Sequence, residues 1–186
     1  IINITSDKCY ENREIMRGYQ ESDPLGGHDP YSASKGCAEI ISRSYRNSFF
    51  PVDQFGKDHE TLIATVRAGN VIGGGDWGED RLVPDIMRAA SDGKSVYIRN
   101  PGSVRPWQHV LEPLSGYLLL GQYLMEGKKE YAGAWNFGPD DGEHKDVLFV
   151  VKELKKHWQD IRCEITNRGN NFHEAVMLKL DCTKAK

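Results

Sequence analysis

Tyr31 and Lys35 stand four residues apart in Asp29-Pro30-Tyr31-Ser32-Ala33-Ser34-Lys35, and Ser6 of Thr5-Ser6-Asp7-Lys8 lies 25 residues upstream of the tyrosine. On a helix, positions i and i+4 share one face. The Lys35 ammonium would then stand beside the Tyr31 phenol and favour its phenolate form. A free phenol has a pKa of about 10, and a neighbouring positive charge draws it toward the pH at which proton transfer is effective. A serine, a tyrosine and a lysine so placed can converge on one carbinol carbon. That set suits a nicotinamide-dependent site.

The spacing alone is weak, since a chance Tyr-x-x-x-Lys turns up in roughly 40% of chains of this composition. Context supplies the rest. Asp29 can cap the helix and Pro30 suits its first turn. The apolar run Ile1-Ile2-Asn3-Ile4 reads as a buried strand, which puts Ser6 at a strand end, where ligands approach a parallel sheet. The competing structural reading of Ser6 is a turn cap, and that of Asp7 and Lys8 an ordinary surface ion pair.

The elements that must hold these residues alternate. Residues 1–5 read as a strand, 30–50 as a helix stopped by Pro51, and 62–71 as a strand rich in Val, Ile and Thr. Strand, helix, strand implies a parallel pair with a crossover. A Gly-rich loop at 73–78, a helix at 83–91, a short strand at 95–99, a helix at 111–126, a strand at 135–137 and a helix at 147–158 follow. Residues 163–166 are expected to pair with a late strand. The loop Gly73-Gly74-Gly75-Asp76-Trp77-Gly78 matches G-x-G-x-x-G and could mimic a coenzyme turn. In a true fingerprint, however, the helix opens inside the motif, whereas Glu79-Asp80-Arg81-Leu82 intervenes before Pro84 can start one. A loop over a cleft fits better.

Composition bounds the partners. The chain has 186 residues, 39% of them hydrophobic, enough for one domain or slightly more. Twenty-four basic against 27 acidic residues leave a net charge of −3, without the basic excess of a nucleic-acid binder. Cys9, Cys37, Cys163 and Cys182 form no Cys-x-x-Cys, so reduced, mostly packed thiols in the cytoplasm are expected. No apolar stretch approaches a membrane span, and the histidines lack ligand spacing, so no metal site is expected. Trp77, Trp107, Trp135 and Trp158 are assigned to packing.

Residues 4–10, the Pro30–Lys35 run, Arg67-Ala-Gly-Asn70, Arg105-Pro-Trp-Gln-His-Val110 and Trp135-Asn-Phe-Gly-Pro139, in this order, resemble the extended short-chain dehydrogenase/reductase family. The Asp7-Lys8 pair resembles its nucleotide-sugar dehydratases acting on CDP-glucose; relatives acting on dTDP- and GDP-sugars carry Asp-Glu there. The resemblance implies an α/β fold: the C-terminal part of a Rossmann-like parallel sheet plus a smaller α/β substrate-binding region. Residues 1–75 would form the second half of the NAD-binding domain and 76–186 mainly the substrate region, with about 110–138 returning to the Rossmann part.

It also implies roles. NAD would be the cofactor, touched by Tyr31 and Lys35. Tyr31 would deprotonate the C4 hydroxyl, Ser6 would hydrogen-bond it, Asp7 would protonate the departing C6 hydroxyl, and Lys8 would stand where the C5 base belongs. Asn70 and Arg105 match positions that would bind the nucleotide diphosphate, an arginine fork suiting phosphate oxygens, and Arg81 and Arg99 are additional candidates for substrate contact. The competing readings are a turn for Asn70 and a surface ion pair for Arg105. His28 and Tyr10 border the sugar pocket on this reading, and the long Tyr31 helix would help build a homodimer. The family's Gly-rich turn belongs upstream of Ile1, so the chain is expected to be an inactive fragment. An epimerase or decarboxylase of the same superfamily, or a non-catalytic sugar-nucleotide binding piece, are the alternatives; Asp7 and Lys8 turned from the pocket would promote the epimerase or decarboxylase.

Overall fold

The apolar start of the chain enters a parallel sheet, but at its edge among the described residues, so that Ile1 and Ile4 are 67% and 59% exposed, which corrects the expectation of a buried strand. In the computed structural model, which describes residues 1–140, 144–165 and 177–186, β1 (Ile2–Ile4) pairs with β2 (Ala64–Ala68) in the register Ile2↔Ala64 to Ile4↔Val66. On its other side β2 pairs in parallel with β7 (Ala134–Phe137). Between β1 and β2 runs α1 (Pro30–Ser48). Asp29 caps this helix, its carboxylate accepting from Ser32 N at 3.0 Å and from Ser32 Oγ at 2.6 Å, with Pro30 opening the first turn. The cap fixes where Tyr31 starts.

The remaining elements are β3 (Val71–Ile72), α2 (Leu82–Ser91), β4 (Ser95–Ile98), β5 (Val104–Arg105), β6 (Gln108–His109), α3 (Leu111–Met125), β8 (Lys145–Asp146), α4 (Val147–His157) and β9 (Arg162–Ile165). The predicted helices and longer strands are present with ends shifted by up to three residues, the largest being at the end of β2. The two-residue strands β3, β5, β6 and β8 are too short to leave a period-2 signal. Residues 162–165 pair with β4, an earlier strand, in parallel, which corrects the expectation of a late partner; Thr166 lies outside the described residues. The physical reason is burial: α2, β4 and α4 share an apolar cluster of Ile86, Ala90, Ile98, Val151 and Ile161, and β9 follows Ile161 directly onto the β4 edge.

Two further clusters hold the sheet. Leu62, Ala64, Val66, Leu120, Leu124 and Trp135 pack the sheet against α3, and Cys9, Tyr10, Tyr19, Leu178, Leu180 and Cys182 tie the turn after β1 to the C-terminal segment. Burying such side chains contributes about 1.5–3 kcal/mol each. The cysteines are free: Cys9 and Cys182 are buried, Cys163 is half-buried and Cys37 is exposed. Trp77 is 70% exposed and Trp158 36%, so the packing role holds only for Trp107 and Trp135, whose indoles donate to Lys145 O and Tyr131 O. Trp77 stands on a loop whose backbone is held from below by Arg88, leaving its ring outward. Among the described residues no helix is long and apolar enough to cross a membrane.

Candidate active site

The turn after β1 is a short 3-10 helix, Asp7–Cys9, and Ser6 caps it by accepting from Lys8 N at 3.2 Å. This tight turn splits the three residues. Lys8 projects outward, Ser6 is half-buried, and Asp7 turns inward with 3% exposure. Thr5, just before, is anchored to the first helix through Glu39.

Tyr31 meets the turn from α1. Its ring is 52% exposed, with Lys35 Nζ 5.5 Å from the ring centroid and Lys8 Nζ 5.7 Å from it. Two ammonium groups from separate elements thus face one phenol. A cation beside a ring is stabilised by its quadrupole.

Asp7 is placed differently. Ser6 Oγ donates to its Oδ1 at 2.8 Å; among the described residues its Oδ2 is buried with no hydrogen-bond partner. Burial pushes the Asp7 carboxyl above its ordinary range, against the Ser6 hydrogen bond and the Lys8 and Arg105 charges. A carboxyl so held favours its protonated form, the form a general acid needs. Its oxygens do not line the open cavity.

That cavity, about 390 Å³, is lined by Lys8, Tyr10, Asn12, His28, Ser32 and Arg105 among others. Arg105, on β5, is 7% exposed, which excludes a surface ion pair. Tyr10 reaches the cavity, yet its hydroxyl faces inward, donating to Asn136 Oδ1 at 2.7 Å and accepting from Arg67 at 2.7 Å. Of the predicted phosphate ligands, only Arg105 lines the space. The backbone of Asn70 extends the parallel β3–β6 ladder, its carbonyl accepting from Gln108 N. Arg81 pairs with Asp76 at 3.0 Å, and Arg99 is exposed at the end of β4. The structure does not bring these three to the cavity.

The Gly-rich loop also differs from a coenzyme turn. Asp76 accepts from Gly78 N at 3.0 Å, so the loop's own carboxylate holds a backbone donor that a diphosphate would need, and α2 opens only at Leu82. Among the described residues no group of three or more His, Cys, Asp or Glu could hold a metal ion.

Behind the site lies a polar network that sequence reasoning missed. Glu39 accepts from Thr5 Oγ1, Thr65 Oγ1 and Arg67 Nη2 at 2.5, 2.7 and 2.8 Å. Asn136 on β7 links Tyr10 to the carbonyls of Tyr19 and Asp181. The available signal was periodicity: Glu39 follows Lys35 by one more i+4 step, and Arg67 interrupts a strand otherwise apolar enough to be buried.

The profile of the NAD dependent epimerase/dehydratase family matches residues 1–138. The CDP-glucose 4,6-dehydratase of Salmonella typhimurium (strain LT2) is 52% identical over 185 residues, covering 100% of this chain and 51% of that protein. A dTDP-glucose 4,6-dehydratase of Streptomyces antibioticus is 23% identical over 185 residues, 99% of this chain and 50% of its own length. The chain thus spans about half the length of these relatives. Among solved structures, UDP-glucuronic acid 4-epimerase from Bacillus cereus, in complex with UDP-glucuronic acid and NAD, superposes with a TM-score of 0.78 at 17% identity, over 99% of this chain and 53% of that one. The NAD complex of dTDP-glucose 4,6-dehydratase from Bacillus anthracis gives 0.74 at 20% identity, over 99% and 53%. The shared fold is that of a Rossmann-like α/β enzyme.

Proposed function

Because the chain belongs to the NAD dependent epimerase/dehydratase family, we propose that the whole protein is a nucleotide-sugar 4,6-dehydratase that converts CDP-glucose to CDP-4-keto-6-deoxyglucose. The observation that carries the reading is the pair of lysines on Tyr31, at 5.7 Å from Lys8 and 5.5 Å from Lys35. Lys8 is the second residue after Ser6, on the arm that an epimerase has no need to equip with an acid and a base. The 52% identity to a CDP-glucose 4,6-dehydratase supports the choice of sugar nucleotide.

The exposed Tyr31–Lys35 pair fits the nicotinamide end of NAD, since a phenol and an ammonium share one open face there. When bound, that coenzyme takes hydrogen from C4 of the hexose and returns it to C6. Tyr31 accepts the C4 hydroxyl proton, with Lys35 stabilising the resulting charge and Ser6 holding the same oxygen. Asp7 supplies a proton for the oxygen leaving C6. Lys8 is assigned the C5 base, a role that needs its amine form, so that Lys35 carries the positive charge at the Tyr31 phenol during that step. Arg105, in the cavity wall, binds the diphosphate; Asn70, Arg81 and Arg99 reach it only if the loops that carry them move.

The outward stripe of α1, with Ile41, Tyr45 and Phe49 at 56, 52 and 66% exposure, supports a homodimer through that helix. The free thiols support a cytoplasmic setting. An epimerase is the second reading, favoured by one observation, the burial of Asp7. Assay of the whole protein against CDP-, dTDP- and UDP-glucose tests the proposal. Dehydration of CDP-glucose in preference to the others is expected; dTDP-glucose preferred, or epimers as sole products, would contradict it.

A further inference from the structure

Four residues on one stripe of α1 divide into two pairs. Tyr31, Lys35, Glu39 and Ser42 follow one another at steps of four, four and three, so they face the same way. The first pair opens on the cleft, with Tyr31 52% exposed. The second is buried against β1: Glu39 Oε1 accepts from Thr5 Oγ1 at 2.5 Å, and Ser42 Oγ accepts from Asn3 Nδ2 at 2.7 Å. Asn3 and Thr5 are two apart on a strand and therefore share its helix-facing side. Strand and crossover helix run in opposite senses, so Asn3 meets Ser42, Thr5 meets Glu39, and the residues after Thr5 come opposite Lys35 and Tyr31. The approach of Lys8 Nζ to 5.7 Å from the Tyr31 ring centroid is that next meeting.

Two points fix a line. A single bond would let α1 swing over the strand, whereas two, about 6–7 Å apart along β1, set its tilt and its axial position together. Among the described residues the hydrogen bonds of the Ser6 side chain stay within its own turn, to Asp7 Oδ1 and from Lys8 N, so the turn is tied to the helix through its neighbour Thr5. The Thr5 hydroxyl has one proton, with Glu39 Oε1 at 2.5 Å and Val66 O at 3.2 Å; the shorter, charge-assisted bond takes it. The Thr5 backbone is held separately, its N donating to Val66 O at 2.9 Å. Removing the hydroxyl alone thus leaves the strand in its ladder.

We infer that Thr5, acting through Glu39, is a positioning residue that sets the separation of Ser6 from Tyr31, so that both reach one substrate oxygen. Asn3 and Ser42 hold the second point. The inference rests on the proposed function for that shared oxygen, and it concerns the oxidation at C4, which precedes either elimination or epimerisation. Thr65 supplies a control. Its hydroxyl donates to the same carboxylate, at Oε2 and 2.7 Å, and it is 1% exposed, but it belongs to β2 and adjoins no reacting residue.

In single turnovers of the whole protein with saturating CDP-glucose, Thr5→Val should slow formation of reduced coenzyme by about 10–10²-fold, the cost of misplacing reacting groups by about 1 Å. The dissociation constant of the nucleotide sugar should stay at the parental value, Thr5→Ser should restore the rate, and Thr65→Val should keep it. A parental rate in Thr5→Val, or equal slowing by Thr65→Val, would make the carboxylate a structural anchor only and overturn the inference. If Thr5→Val does not fold, Ser42→Ala decides, since it deletes one oxygen at the second point: slower oxidation at unchanged affinity supports the clamp, and a parental rate refutes it. A second readout needs no turnover. The Lys8 and Cys9 amides are held by Ser6 Oγ and Ser6 O at 3.2 and 3.1 Å; Thr5→Val should speed their hydrogen exchange while β2 keeps its protection, and Thr65→Val should leave them unchanged. Faster exchange across the whole sheet in Thr5→Val would mean general loosening and contradict the clamp. Product identity separates the two claims: epimers formed at a rate that still falls in Thr5→Val would refute the dehydratase reading and leave the clamp standing.

Discussion

Glu39 and Arg67 meet at 2.8 Å with both side chains 3% exposed, joining the helix that carries Tyr31 and Lys35 to the central strand of the sheet. A buried ion pair is weak evidence of stabilisation against an apolar pair, but breaking it leaves a charge stranded. Glu39→Gln should therefore cost about 3–5 kcal/mol in urea denaturation, and adding Arg67→Met should recover part of the loss. Equal stability of Glu39→Gln and the parent would contradict the assignment.

The same glutamate predicts an acid limb. Burial alone would push the Glu39 carboxyl up, but the Arg67 charge and the Arg67, Thr5 and Thr65 hydrogen bonds hold it below its ordinary range. A group depressed in the folded state stabilises above its unfolded value and loses that contribution as pH falls through the folded one. Stability should fall as pH drops below the ordinary glutamate range, and Glu39→Gln should flatten that limb.

Asp7 has the opposite sign. Its folded carboxyl binds a proton more tightly than the unfolded one, so its contribution worsens as pH rises from the ordinary aspartate range through the folded value. Asp7→Asn should match the parent below the ordinary aspartate range and exceed it by ~1–3 kcal/mol once pH has risen through the folded value, where the carboxylate becomes ionised and its Oδ2 finds no partner among the described residues. A variant less stable than the parent at alkaline pH would show that the buried oxygen is satisfied.

Gly27 marks a close approach. A Cβ there would lie 2.2 Å from Ala33 N and 2.4 Å from Ser32 C, both backbone atoms of the first turn of α1. Gly27→Ala should cost about 1–3 kcal/mol by forcing the loop off the helix, and should weaken nucleotide-sugar binding because that loop and His28 wall the cavity. Unchanged denaturation midpoints would contradict the packing.

How much of this could be read beforehand depended on range. The Tyr31 helix, its Asp29 cap and the strand before Ser6 are local: the cap chemistry and apolar run are contiguous in the chain, and the elements emerged where expected, although the strand lies at a sheet edge with Ile1 and Ile4 exposed rather than buried. The cavity is not local. Arg105 lines it, whereas Asn70, Arg81 and Arg99 do not, and the inward place of Arg105 is set by the pairing of the two-residue strands β5 and β8, which leave no periodic trace. The inward turn of Asp7 beside an outward Lys8 follows from a 3-10 turn whose phase no residue type announces. The Glu39 network joins residues from Thr5 to Asn136, and its burial becomes visible only when the strands are side by side.

Tyr31→Phe removes the proposed proton acceptor for the C4 hydroxyl. In single turnovers of the whole protein, formation of reduced coenzyme should slow by about 10²–10⁴-fold. Asp7→Asn should instead let reduced coenzyme build up, because elimination slows after oxidation has occurred. Loss of its formation in both variants alike would refute the division of labour.

The fate of one hydrogen tests the central claim most directly. With CDP-[4-²H]glucose and the whole protein, the account predicts that deuterium leaves C4 and is recovered in the C6 methyl group of CDP-4-keto-6-deoxyglucose, with no net accumulation of reduced coenzyme. Deuterium retained at C4 of an epimerised sugar, or trapped in coenzyme that accumulates with product, would contradict it.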